Sequence, residues 1–307
     1  MLAYVVRRLL ALVVILVGIG LISFLAIHAT PGDPVDEILA NNANREAAEN
    51  MRRQLGLTQP LPVQYARWMG GVLHGDFGRS LLTNVPVTDE IMERFPSTVE
   101  LAVAGLAVSL AIGVPLGLLA AVTRRRWVDS AIMVVALGGL SVPSFWLGLL
   151  LLLLFGVKLG WFPVLGGEGL RSLVLPAFTL GIVGASVLAR LTRSSMLEVL
   201  RHDYVQTARA KGLAERAVIV RHAFRNALIP VITVIGIQFG HLLAGTVIIE
   251  AVFARPGVGS LAIRAIQARD FPLVQGIVLF YAALYVLTNL VVDLLYGVLD
   301  PRIRLAS

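Results

Sequence analysis

HDYVQTARAKGLAERAVIVRHAFRNALIP, residues His202 to Pro230, is a charged stretch lodged between two apolar runs long enough to cross a bilayer. Asp203 occupies an N-cap position, good helix formers follow it, and Gly212 stands where a left-handed stop is needed. A second helix is predicted from Ala214 to Phe224, before Pro230 opens the next apolar span. Two short helices joined at a glycine elbow predict a compact knob projecting from the membrane.

The rest of the chain supplies that membrane. It has 307 residues, 57% of them hydrophobic and 15% charged. With a mean hydropathy of +0.82, it is too apolar for a soluble domain of this length. Six spans are predicted at Leu9–Ala29, Thr98–Val122, Ser130–Gly156, Leu173–Arg193, Ile229–Phe253 and Val274–Val298. The first does not read as a signal peptide, because its apolar run is too long and no A-x-A site follows it. The chain has no cysteine, which excludes disulfides and thiolate chemistry. Its net charge of +7 does not point to nucleic acid, because the arginines flank apolar spans instead of forming one basic face.

Charge placement gives an orientation. Arg7, Arg8, Arg124 to Arg126, the basic residues between Arg190 and Arg225, and Arg302 with Arg304 all fall on one side. The short loops opposite hold only Lys158, Arg171, Arg255, Arg264 and Arg269. Both termini and the knob are therefore expected in the cytoplasm. The domains follow: 1–30, an N-terminal segment and first span; 31–96, an outer insertion; 97–298, the transmembrane core with the knob at 194–228; and 299–307, a cytoplasmic tail. Within the insertion, Asn44 to Leu57 and Leu61 to Gly75 read as helices, the second with Tyr65, Trp68, Met69 and Leu73 along one face. An insertion this long exceeds what span connection requires and suggests a docking platform.

The knob resembles the cytoplasmic coupling loop of ABC importer permeases, with Gln206, Thr207 and Ala208 as its opening triplet and Gly212 as its glycine. It departs from the common pattern at His222-Ala223-Phe224-Arg225-Asn226, and this variant is similar to the dipeptide, oligopeptide and nickel branch. PGDP (Pro31 to Pro34), LGL (Leu55 to Leu57), GDFG (Gly75 to Gly78) and ARLTRSSML (Ala189 to Leu197) resemble the same branch. The resemblance implies an all-α membrane protein with six transmembrane helices, the type I ABC importer permease fold, and a helical periplasmic insertion between helices 1 and 2. It implies a subunit of the bacterial inner membrane that moves di- or oligopeptides, or glutathione, by alternating access; a nickel-chelate importer is the neighbouring alternative. Implied partners are a second homologous permease, two ABC ATPase subunits, a periplasmic or extracellular solute-binding protein, and membrane lipid. No cofactor is expected in this chain, ATP and Mg being bound by the ATPases. Asp203, Tyr204, Gln206, Thr207, Ala208, Arg209, Lys211, Gly212, Arg216, His222, Arg225 and Asn226 are the implied coupling residues. Arg209, Lys211 and Arg216 would pair with acidic groove residues. Gly75, Asp76, Phe77 and Gly78 would approach the docked binding protein.

Polar residues that are costly in lipid mark a candidate pathway. Ser141 and Ser144 flank Pro143, where helical bonding should break. Gln238, His241 and Gly245 share one stripe of the fifth span with Val234. Glu250 is read as a gate or as an ion pair with Arg255. Gly105, Gly113, Gly117, Gly138 and Gly139 suggest close helix packing. No phosphate loop, dinucleotide fingerprint or H-E-x-x-H is present, and the histidines lack ligand spacing, so neither catalysis nor a metal site is expected. A secondary transporter would need midplane carboxylates and an inverted repeat, and neither is visible.

Overall fold

The computed structural model describes residues 2–29, 49, 52–53, 58–164, 166 and 169–299. Its helices are α1 (Leu2–Ala29), α2 (Leu61–Leu73), α3 (Val87–Val122), α4 (Arg126–Ser141), α5 (Ser144–Lys158), α6 (Leu170–Val199), α7 (Asp203–Ala210), α8 (Glu215–Val252), α9 (Val258–Gln267) and α10 (Phe271–Leu299). Among the described residues five helices are long and apolar enough to cross a membrane, and the α4–α5 pair, bent by 102°, passes the same test only when its two halves are taken together. Five of the predicted spans are therefore present as single helices, and the third is a bent pair. PGDP, LGL and nearly all of the helix predicted from Asn44 lie outside the described residues.

Two elements differ from expectation. α3 begins at Val87 and runs through Pro96, so the end of the predicted outer insertion is a helical extension of the second span. α8 is one rod from Glu215 to Val252, passing through a π-helical segment, Val218–Phe224, and through Pro230. The predicted second knob helix is thus the first part of the fifth span. Proline is tolerated here because membrane helices can re-satisfy the freed backbone groups through neighbours. The third span breaks where predicted: Val142 and Pro143 are extended, at ψ 124 and 130.

By contacts the chain forms two units, Met1–Pro96 with Pro256–Leu287, and Ser97–Arg255 with Thr288–Ser307. In the first unit, Val87, Ile91, Val258, Leu261, Leu273 and Ile277 form the core. Asp270 organises its loops. Buried, it caps α10 through the Leu273 amide at 3.4 Å and also accepts from Ser80 Oγ at 2.5 Å and Leu81 N at 3.1 Å. α2 packs on α1 through Phe24, Tyr65 and Trp68, and Tyr65 donates to the Val17 carbonyl at 2.7 Å. Met69 is buried there, whereas Leu73 of the predicted stripe is exposed.

The second unit is built on the seam between α3 and α6. Small residues recur every fourth position on α3, at Gly105, Ser109, Gly113 and Gly117, and let the two backbones approach. A Cβ on Gly113 would lie 2.5 Å from the Ala185 carbonyl, and one on Gly117 would overlap the Ala189 carbonyl. Ser109 Oγ lies 2.9 Å from Gly105 O on its own helix and 2.7 Å from Gly181 O on α6. Gly139 is likewise closed by Ser186 of α6, but Gly138 faces open space, so the packing expectation fails at that position. Around the seam, Leu101, Leu175, Leu180, Leu242, Ile249 and Phe253 form the apolar core. Gly117→Val should force α3 and α6 apart at a cost of about 1–3 kcal/mol; a lowered unfolding midpoint of the detergent-solubilised protein checks this.

Candidate functional site: the elbow between α7 and α8

The elbow is held from inside by apolar packing. Val205, Ala208 and Val218 are buried together against Val199 and Leu200. Beside them Met196, Ala223 and Ala227 close on Leu118, Ala121 and Val122 of α3, so the elbow is seated on the ends of α3 and α6. The helix α7 starts one residue earlier than the sequence suggests. His202 holds the cap position, without a side-chain cap bond, and Asp203 is the first helical residue, its charge in the favourable first turn.

Gly212 ends α7 at φ +76. Leu213 N reaches back to Ala208 O at 3.4 Å and Gly212 N to Arg209 O at 2.9 Å, the paired bonds of a left-handed helix stop. Across the elbow the Arg209 guanidinium grips Glu215 with two bonds, 3.1 and 2.7 Å, which raises the arginine's pKa above its ordinary value. Arg209 is therefore committed within the elbow. Lys211 and Arg216, by contrast, are exposed.

The remaining elbow residues divide between holding and presenting. Asn226 Nδ2 donates to Tyr204 Oη at 3.0 Å and to His222 O at 2.9 Å, tying α7 to α8. Thr207 Oγ1 bonds Asp203 O at 2.9 Å, and Gln206 Nε2 bonds Leu200 O at 3.3 Å. Arg225 is exposed, and Tyr204, Leu213 and Val220 add apolar surface among the cations. Sequence reasoning missed the clamp behind the elbow: Arg193 of α6 holds Asp129 of α4 through Nε at 2.5 Å and Nη2 at 2.6 Å. Asp129 in the first turn of α4 was its available signal.

The other sequence candidates lie apart from the elbow. Ser141, exposed, ends α4, and Ser144 starts α5. His241 is exposed on α8, while Gln238 one turn earlier is 7% exposed, against Gly184 of α6 and Ser109 of α3. Gly245 faces Leu180. Glu250 is fully buried and accepts from Thr98 Oγ1 at 2.7 Å, whereas Arg255 pairs with Glu100. The expected Glu250–Arg255 side-chain pair is thus replaced, because the turn after α8 carries the arginine toward α3. In the first unit, Gly75 and Gly78 both have φ +83, Asp76 Oδ1 accepts from Gly78 N at 2.8 Å, and Phe77 packs on the core.

Apolar helices long enough to cross a bilayer, a bent pair and a packed elbow define an integral membrane protein. A model described as "Binding-protein-dependent transport system inner membrane component" matches residues 113–305, and its N-terminal counterpart matches residues 1–102. The glutathione transport system permease protein GsiC of Salmonella paratyphi A is 44% identical over 304 residues, 99% of each chain. Its counterpart in Escherichia coli strain K12 is 43% identical over the same span. Among solved structures, an inward-facing MetNI methionine ABC transporter matches with a TM-score of 0.60 at 16% identity, covering 69% of this chain and 96% of that one. An amino acid ABC transporter with histidines matches at 0.55 and 14%, covering 68% and 94%. The chain belongs to the family of binding-protein-dependent transport system inner membrane components. It is a multi-pass permease subunit of an ABC importer and not an enzyme, and membership implies ATPase and substrate-binding partners.

At the elbow, Gly212→Val would place a branched residue at a left-handed position, costing about 1–2 kcal/mol. Amide hydrogen exchange across Asp203–Ala210 should accelerate while recovery in the membrane fraction stays unchanged.

Proposed function

We propose that this chain is one of two homologous permease subunits of an importer that carries glutathione or short peptides inward. The observation that supports this cargo is the 44% identity over 99% of the chain to permeases named for glutathione transport. Sequence reasoning put di- and oligopeptides first; the relatives move glutathione, itself a tripeptide, ahead of them. The relatives at 43% and 44% identity are named for glutathione, which leaves the nickel-chelate reading second.

In this reading the elbow faces the cytoplasm with both termini, and two ATPases bind ATP and Mg there. Asp203, Tyr204, Gln206, Thr207, Ala208, Arg209, Lys211, Gly212, Arg216, His222, Arg225 and Asn226 form the coupling surface, with the Arg209–Glu215 fork keeping it rigid. ATPase closure then acts on α8 directly, because the elbow's second arm and the fifth span are one helix. Ser141, Ser144 and His241 line the pathway toward the second permease, with Gln238 and Gly245 behind them. The turn from Gly75 to Gly78 meets the binding protein on the outer side, and residues 31–96 serve as its platform.

Reconstitution with the co-purified partners tests the reading by ATP-driven uptake of labelled glutathione against a labelled dipeptide. Saturable glutathione uptake supports it; dipeptide uptake alone would reassign the cargo. Uptake without the ATPases would point instead to an ion-coupled secondary transporter. Reversing the exposed cations, Lys211→Glu with Arg216→Glu, should lower uptake about tenfold and weaken ATPase retention at low salt. Unchanged uptake and retention would remove those two residues from the coupling surface.

A further inference from the structure

The two seams that α6 makes are built differently. Toward α3 it is fixed by backbone contact through Gly113 and Gly117 and by the Ser109 hydroxyl between two carbonyls. Toward α8 the contact is apolar, with Leu173, Leu175, Leu180, Leu242, Ile249 and Phe253 in one cluster, and such packing has no directional register. One polar group buried there lacks a partner. Gln238 is 7% exposed, and neither its Oε1 nor its Nε2 has a hydrogen-bond partner.

An unpartnered buried amide raises the free energy of the arrangement that contains it. Its surroundings make room for it all the same. A Cβ on Gly184 would overlap Gln238 Nε2 and Ser109 Oγ, so only glycine permits this placement. The polar groups on the facing wall, Ser109 Oγ and the Gly181 carbonyl, already engage each other at 2.7 Å. Gln238 also lies on the rod that starts at the elbow, about 35 Å from Glu215 along the helix axis.

We propose that Gln238 is a register switch between α8 and α6. Its amide is unpartnered in the arrangement described here and becomes hydrogen-bonded to the α3–α6 wall when the rod shifts in the other state of the transport cycle. The amide thereby favours that second state, and the elbow drives the shift. This rests on the alternating-access reading above and on no particular cargo.

The test uses the chain's lack of cysteine. Val135→Cys on α4 and Ile229→Cys on α8, both exposed in the wild type, are spin-labelled in the full complex with its ATPases. Distances are measured without nucleotide and with ATP trapped. Gln238→Met and Gln238→Leu keep the bulk and delete the amide. In both, the population should move about tenfold toward the distance calculated from this structure, and uptake should slow. Unchanged distance distributions in both variants would overturn the proposal. So would failure of both to assemble, since deleting an unpartnered amide should not prevent folding. If the unmutated complex shows no ATP-driven uptake, it is the importer reading that has failed, not the switch.

Discussion

The second unit depends on how closely α3 and α6 approach. Four small residues at every fourth position of α3 remove the side chains that would hold the helices apart, and Ser109 adds a polar tie between them. In lipid, where burial of apolar side chains drives little association, this kind of backbone-near packing carries the adhesion between helices. Everything functional in that unit is referred to this pair. The elbow rests on their ends through Met196 and Ala121, and the broken third span is attached through Asp129–Arg193 and Gly139–Ser186.

The elbow combines a rigid interior with an adhesive exterior. Its interior is apolar, and local hydrogen bonds and one ion pair on its surface tie its two arms together. Its exterior carries Lys211 and Arg216 beside Tyr204, Leu213 and Val220, a mixture suited to a protein partner. Because α8 runs from the elbow into the fifth span as one helix, no loop separates the two. The π-helical segment, within the elbow, and Pro230, beyond it, are the two places before Gln238 where the backbone bonding pattern changes.

Three polar sites in the described residues are held differently. Half-exposed Asp129 with Arg193 is a forked pair; buried Asp270 is a carboxylate met by a hydroxyl and amides; buried Gln238 is an amide without partners. The first two lock loops and helix ends in place, whereas the third ties nothing in the arrangement described here.

Much of this was determined by the sequence alone. Hydropathy located five spans and the bent α4–α5 pair, because a membrane helix must be apolar for its whole crossing whatever it packs against. Gly212 was legible because a left-handed stop disfavours a side chain, and the break at Pro143 because proline cannot donate. What the sequence left undecided were contacts between residues far apart in the chain. Arg255 turned to Glu100 and not to Glu250, Arg209 took Glu215 as its partner, and Gln238 faced a helix seam while His241, three residues on, faced outward. Helical spacing puts residues on a stripe, but which neighbour covers that stripe depends on the approach of another helix. Only the tertiary structure set that approach, through the small residues that let α3 and α6 touch.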